Sequence, residues 1–223
     1  MSILVLCPSR GRPQNAFEAM DSFNLTKSRS DTKILFLVDS DDPTRHQYPY
    51  SSTLVLDPPP GCMNNAMTIA VKRDSVLSDF SVFGFIGDDH RFRTPRWDEA
   101  ISAALAAEKG IVYCDDLYQR ENLPTMWFLS REIVNVFGMG HPELRHLWID
   151  NYWLTLGEAA DCIYYMPDLV IEHMHPYAGK GEMDAGYERA NSGQMIDHDR
   201  GVFERWQANS LAADAETLRS IVG

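Results

Sequence analysis

The sequence predicts an α/β fold, with a mostly parallel central sheet flanked by helices, on three observations. Short, almost wholly apolar runs recur and stop at turn residues, as strands buried on both faces do. Stretches of helical periodicity lie between them. Three of the runs, at residues 34–38, 82–87 and 111–114, end in pairs or triplets of aspartate. In an open α/β sheet the carboxyl ends of the strands face one crevice, where ligands bind.

The first strand is ILVLC at residues 3–7, stopped by Pro8, and after the loop SRGR the residues Ala16, Phe17, Ala19, Met20 and Phe23 mark one helical face. KILFLV (33–38) runs into the acidic turn DSDDP, and a third strand at 53–56 ends in DPPPG. Residues 62–79 carry Met63, Ala66, Met67, Ile69, Ala70, Val71 and Leu77, a pattern that predicts a helix returning the chain to the sheet. FGFIGDDHRF (83–92) then brings a buried strand directly to Asp88, Asp89 and His90. TPRWDEAISAALAAEKG predicts a helix with Thr94 as N-cap, Pro95 in the first turn and Gly110 as its stop. IVYCDD is another buried strand delivering acids. Beyond residue 120 helical and short-strand signals alternate, with aromatics gathered around Trp148, Tyr152 and Trp153. Residues 178–201 hold five glycines and many charges without apolar periodicity, which predicts a mobile loop, and one helix over 202–222 closes the chain.

At 223 residues the chain can bury a core without metal or disulfide staples. A cluster of metal-ligand residues is therefore expected to serve function. The net charge of -12, from 32 acidic and 20 basic residues, argues against a broad cationic surface for nucleic acid. Cys7, Cys62, Cys114 and Cys162 show no paired spacing and read as reduced thiols of a cytoplasmic protein. No signal sequence is expected, and no apolar run approaches the roughly 18 residues that span a bilayer.

Asp88, Asp89 and His90 offer two hard oxygen ligands and one nitrogen, a mixture that suits Mn²⁺ or Mg²⁺ and tilts toward Mn²⁺. Alternation at a strand end lets Asp88 and His90 chelate together with Asp89 turned elsewhere; the opposite assignment is equally open. His173 and His175, alternating in IEHMHP, can bring a late ligand to the same ion. Asp150 sits among large apolar side chains in LWIDNYW, where burial raises a carboxyl toward general-base duty. It can equally cap a helix over residues 151–160. In SRGRP, Arg10 and Arg12 with nearby backbone N–H groups predict an anion site, without the glycine spacing of a dinucleotide fingerprint or a P-loop. Asp39 can accept from a nucleobase or ribose, or simply start its turn.

In their order these motifs resemble the GT-A glycosyltransferases, particularly the compact family-2-like enzymes that use nucleotide-diphosphate sugars, over most of residues 3–176. ILVLCPSRGRP is similar to the first strand and nucleotide-contacting loop of that family, and LVDSDD to the second strand, whose acid reaches the base. FIGDDH stands where the family carries its DxD motif; DDH departs from it, although a DxH variant occurs. Asp150 in WIDN falls where inverting members place the base, with Ile149-Asp150 in place of the usual ED pair. His173 or His175 falls at the late metal ligand.

The resemblance implies a catalytic domain over 1–177, with a nucleotide-sugar-binding half to residue 118 and an acceptor half from 119. It assigns Pro8, Ser9, Arg10, Arg12, Asp39, Asn65 and Asp88 to the nucleotide sugar. Asp88, Asp89, His90 and His173 go to Mn²⁺ or Mg²⁺, and Asp150 to catalysis. The implied reaction is inverting transfer of a hexose or pentose from a donor such as a UDP-sugar to an acceptor hydroxyl, with the loop at 178–201 closing over the donor to exclude water. Saccharide, protein and a hydroxylated DNA base are the acceptors considered. Lys180, Arg189, Arg200 and Arg205 offer a small basic rim for DNA, and no membrane partner is expected. A nucleotidyltransferase or nucleotide-sugar pyrophosphorylase would carry a lysine in its first glycine-rich loop, which SRGRPQN lacks. A non-catalytic nucleotide-sugar-binding module would need no buried base.

Overall fold

Four of the apolar runs become β1 (Ile3–Pro8), β2 (Lys33–Asp39), β3 (Thr53–Leu56) and β4 (Val82–Phe85), all mutually parallel where they pair. The computed structural model describes residues 1–73 and 79–223. The remaining strands are β5 (His90–Phe92), β6 (Ile111–Asp115), β7 (Trp127–Ser130) and β8 (Ile163–His173). Together they form one sheet in the order β3-β2-β1-β4-β7-β6-β8-β5. The sheet is mixed: β7 runs antiparallel between β4 and β6, and β5 runs antiparallel against the end of β8. All the acid-bearing strands, β2, β4 and β6, nevertheless point the same way, so their carboxyl ends share one edge.

Strand alternation divides the core into two layers. Leu4 and Leu6 of β1 face one layer, shared with α2 (Met63–Val71), whereas Ile3, Val5 and Cys7 face the other, shared with α1 (Pro13–Thr26) and α3 (Trp97–Glu108). Phe23, Phe92, Trp97 and Phe128 interlock in the second layer at centroid separations of 4.5 to 5.7 Å. Fully buried side chains of this size contribute roughly 1.5–3 kcal/mol each. Below the first layer lie α4 (Arg131–Phe137) and α5 (Ile149–Ala160), and Val202, Trp206, Ala215 and Leu218 from the C-terminal helices enter the same core.

Several boundaries differ from the sequence reading. Thr94 does not cap α3. That helix starts at Trp97 behind Arg96 in the left-handed conformation, and the Thr94 hydroxyl instead accepts the Val170 N–H at 2.8 Å. The helix expected over 62–79 is seen as α2 to Val71; Leu77 lies outside the described residues. Residues 178–201 are not an irregular loop: α6 (Ala185–Ala190) and the first turns of α7 (Gly193–Asn209) occupy most of them. The closing helix is also divided, with α8 (Leu211–Val222) following a break at Ser210. Buried polar anchors, not apolar periodicity, hold this region. Asp199, fully buried on α7, accepts the N–H groups of Arg145, His146 and Leu147 at 2.8 to 3.1 Å.

Gly110, the expected stop after α3, is required for a second reason. A Cβ there would collide with the backbone carbonyl of Cys162, where β6 and β8 begin their ladder. Gly110→Ala is expected to cost about 1–3 kcal/mol, the usual range for overpacking. For a domain of this size, that lowers Tm by several degrees, at about 2–4 °C per kcal/mol, readable by thermal melting.

Candidate active site

The loop after β1 divides its two arginines between different tasks. Gly11, at φ +73°, makes the turn, and its N–H is fixed on Asp42 at 2.8 Å. Arg10 swings outward to Asp39 at 2.8 Å and to Asp41; the Asp41 hydrogen bond raises its guanidinium further above the ordinary range. Arg12 turns inward, with its backbone N–H on the Tyr48 hydroxyl at 3.0 Å and its side chain facing Asp88 at 3.4 Å and Asp184 at 2.6 Å. The expected joint anion site of Arg10 and Arg12 is therefore not formed by both; Arg12 alone faces the acids of β4. Asp39 is engaged by Arg10, and Asp42, fully buried, is the acid that builds the DSDDP turn through Gly11 and Thr44.

Asp88 and Asp89 point to opposite partners. Asp88 accepts from the Ser9 hydroxyl at 2.5 Å and faces Arg12, so it belongs to the SRGRP loop, where Pro8 ends β1. Burial and the adjacent Asp89 charge push its carboxyl up, against the pull of Arg12. Asp89 lies between two imidazoles, 3.3 Å from His90 Nδ1 and 3.3 Å from His173 Nε2. Burial works to raise Asp89, yet hydrogen bonding to His173 and His90 outweighs it and holds the carboxyl well below the usual range.

The sheet itself explains how a histidine from residue 173 arrives here. In the antiparallel β5–β8 pair His90 stands directly opposite His173, and the rings stack at 4.2 Å. One ligand atom each from Asp89, His90 and His173 lies within 4.8 Å of the others. The donor set fits a divalent ion: one carboxylate oxygen and two imidazole nitrogens suit Mn²⁺ better than the all-oxygen shell Mg²⁺ prefers. His90 Nε2 is buried and without a hydrogen-bond partner, while its Nδ1 accepts the Gly87 N–H at 3.1 Å. Asp88 lies outside this group. His175 does too: its Nδ1 accepts the Tyr177 N–H at 3.1 Å, and its ring stacks on Tyr118 at 5.4 Å.

Behind His173 stands Asp116, to which the sequence reading gave no role. Its Oδ1 accepts the N–H groups of Tyr118, Gln119 and Arg120 at 2.7 to 2.8 Å, and Oδ2 accepts the Thr125 hydroxyl at 2.8 Å. The same Oδ2 stands 3.7 Å from His173 Nδ1. Burial opposes charge on His173, but Asp116 and Asp89 together raise its ring to about 9. At 3.7 Å this contact is one of charge, and His173 Nδ1 has no hydrogen-bond partner. Asp116→Asn, which keeps an oxygen for the three N–H groups, removes one of the two charges that hold the His173 ring up, so its pKa is expected to fall. A proton NMR titration of the ring measures that shift, with circular dichroism confirming an unchanged fold.

Asp150 lies in the first turn of α5, half-buried, behind the left-handed Trp148 that precedes the helix. It is not the N-cap, because the helix begins at Ile149 and no side chain caps it. Burial, opposed by His173 and reinforced by Asp116, pushes its carboxyl up to about 7. The segment leading to it is pinned from two sides: by Asp199, and by Asn64, whose Nδ2 donates to the carbonyls of His141 and Leu144 at 2.7 and 2.9 Å. The neighbouring Asn65 stands apart, exposed on α2 with its amide on the Pro60 carbonyl at 3.1 Å. Of the basic rim, Lys180 pairs with Glu172 at 2.8 Å, Arg205 approaches Glu143 at 3.7 Å, and Arg200 lies 5.6 Å over the Trp148 ring.

One mixed eight-stranded sheet with helices and a hydrophobic layer on each face is an α/β fold of the GT-A type, and solved structures share it. The solved structure of S. aureus TarS 1-349 in complex with UDP-GlcNAc superposes with a TM-score of 0.63 at 10% identity, over 98% of this chain and 70% of that one. The mannosyltransferase PcManGT from Pyrobaculum calidifontis, in complex with GDP-Man and Mn²⁺, gives 0.54 at 12% identity, over 98% and 79%. At these identities the likeness is one of fold. No family profile and no curated protein matches the sequence. Among the described residues, no helix is long and apolar enough to cross a membrane.

Proposed function

We propose that this chain is a metal-dependent, inverting glycosyltransferase that moves a sugar from a nucleotide-diphosphate sugar to an acceptor hydroxyl. The observation that carries the reading is the convergence of Asp89, His90 and His173, with Asp88 and Arg12 beside Asp89 in the chain and fold and Asp150 near enough to feel the charges of His173 and Asp116. Its support from outside the chain is that neighbours of the same fold hold UDP-GlcNAc, or GDP-Man with Mn²⁺.

Asp89, His90 and His173 would hold the divalent ion, which supplies charge neutralisation to a leaving diphosphate. Arg12 binds phosphate oxygens through its planar guanidinium. Asp88, fixed by Ser9 on Oδ2, turns Oδ1 to Arg12 at 3.4 Å, and from there would accept a hydroxyl of the donor. Asp150 takes the acceptor's hydroxyl proton while that oxygen bonds to the anomeric carbon. The bond from that carbon to the diphosphate oxygen breaks in line, and the nucleoside diphosphate leaves with the electron pair. A carboxyl at about 7 is matched to proton abstraction near neutrality.

The test is a donor panel of UDP-, GDP- and TDP-sugars with Mn²⁺, following nucleotide release with and without EDTA. EDTA-sensitive release from one donor is expected. No binding and no turnover with any of them would sink the reading.

A further inference from the structure

The anion site on Arg12 is filled by the protein's own carboxylate. Asp184 meets Arg12 in a two-pronged contact, with Nε on Oδ2 at 2.6 Å and the second nitrogen on Oδ1. Three residues on, Tyr187 donates its hydroxyl to Asp89 Oδ2, and its ring lies 4.4 Å from the Arg12 guanidinium. A bidentate carboxylate and a pair of phosphate oxygens make the same demand on a guanidinium. The approach is close enough that a Cβ on Gly186 would sit 3.1 Å from the Arg12 side chain. Residues 184–190 thus engage both the arginine and the metal-ligand carboxylate that a donor and its ion would use.

Beyond these contacts, the Tyr187 ring meets His175 edge-on at 5.2 Å, and the rest of the segment is open. Gly181, Glu182, Met183, Ala185, Glu188 and Arg189 are exposed, and only Ala190 is buried. A short helix anchored by two polar side chains opens at low cost.

We propose that α6 is a self-inhibitory plug, in which Asp184 occupies the diphosphate's place on Arg12 and Tyr187 covers Asp89, so that donor binding expels the segment instead of closing it. The proposal rests on the nucleotide-sugar reading and adds the regulation of that site. Apparent affinity is the intrinsic affinity reduced by the fraction of molecules that are open. A ligand that competes with Asp184 therefore gains whatever the plug loses.

Asp184→Asn separates the plug from the helix. Asp184 Oδ1 also accepts the Gly186 and Tyr187 N–H groups that start α6, and asparagine keeps that oxygen while removing the charge from Arg12. Calorimetry of UDP in the presence of Mn²⁺ is expected to show binding about ten-fold tighter in Asp184→Asn than in the wild type. In the wild type, UDP with Mn²⁺ is expected to speed hydrogen exchange at residues 182–191. Unchanged or weaker binding in the variant overturns the plug, as does slower exchange there, the signature of a closing lid. If the wild type binds UDP and these results fail, the donor reading stands and only the plug falls. If neither protein binds UDP, both fall together.

Discussion

Asp89→Asn is expected to abolish measurable Mn²⁺ binding and to lower kcat/KM by about three orders of magnitude. Lewis-acid stabilisation of a leaving group is worth several kcal/mol, and each 1.4 kcal/mol is a factor of ten. The physical reason singles out Asp89 over Asp88. Asp89 lies 3.3 Å from each of two imidazoles, whereas Asp88 is turned to Ser9 and Arg12. Asp88→Asn should accordingly retain Mn²⁺ and lose nucleotide affinity. Manganese titration followed by paramagnetic resonance reads the ion directly, so it does not depend on finding the donor first. The reverse pattern between the two variants would mean that the ion sits on the arginine side.

Asp150→Asn is expected to cost about 10²–10⁴ in kcat, the usual worth of a positioned general base, with Mn²⁺ and nucleotide affinity unchanged. The pH dependence gives the sharper check. Burial lifts the Asp150 carboxyl to about 7, and only its deprotonated form accepts a proton. Wild-type kcat should therefore fall as pH drops through about 7 and level off above it. That acid limb should be missing from the residual activity of the asparagine variant. A limb that survives the substitution would assign the base elsewhere.

Much of the fold was legible because β1, β2 and β4 are buried on both faces and so read as continuous apolar runs with turn residues at their ends. β7 was harder. Its antiparallel insertion between β4 and β6 depends on pairing partners far away in sequence, and nothing local in TMWFLS announces direction. For the site, the dense run Asp88-Asp89-His90 and the alternating His173 were visible as ligand types. Their division of labour was not, because opposite facing of adjacent acids is set by Ser9 and Arg12 from the loop after β1. Asp116 is hidden for a similar reason: its second position in YCDD says nothing of the three N–H groups that hold it. Residues 178–201 carry no apolar periodicity and so read as loop in the sequence. Asp184, Tyr187 and Asp199 fix that region through charge and hydrogen bonds, which leave no periodic trace. A polar residue three positions after an acid, as in DAGY, is a faint trace of an N-cap at most.

The ladder between β5 and β8 places an unusual kind of constraint on this chain. Only three residue pairs make it, and one of them sets His90 against His173. Side chains alternate faces along a strand, so one residue inserted or deleted near residue 171 would rotate the imidazole to the far face of the sheet while the ladder could still form. Such a protein would present a carboxylate with one imidazole where two are needed, and would turn Ile171 out of the core as well. The centre therefore depends on a fixed count of residues through the strand that completes it.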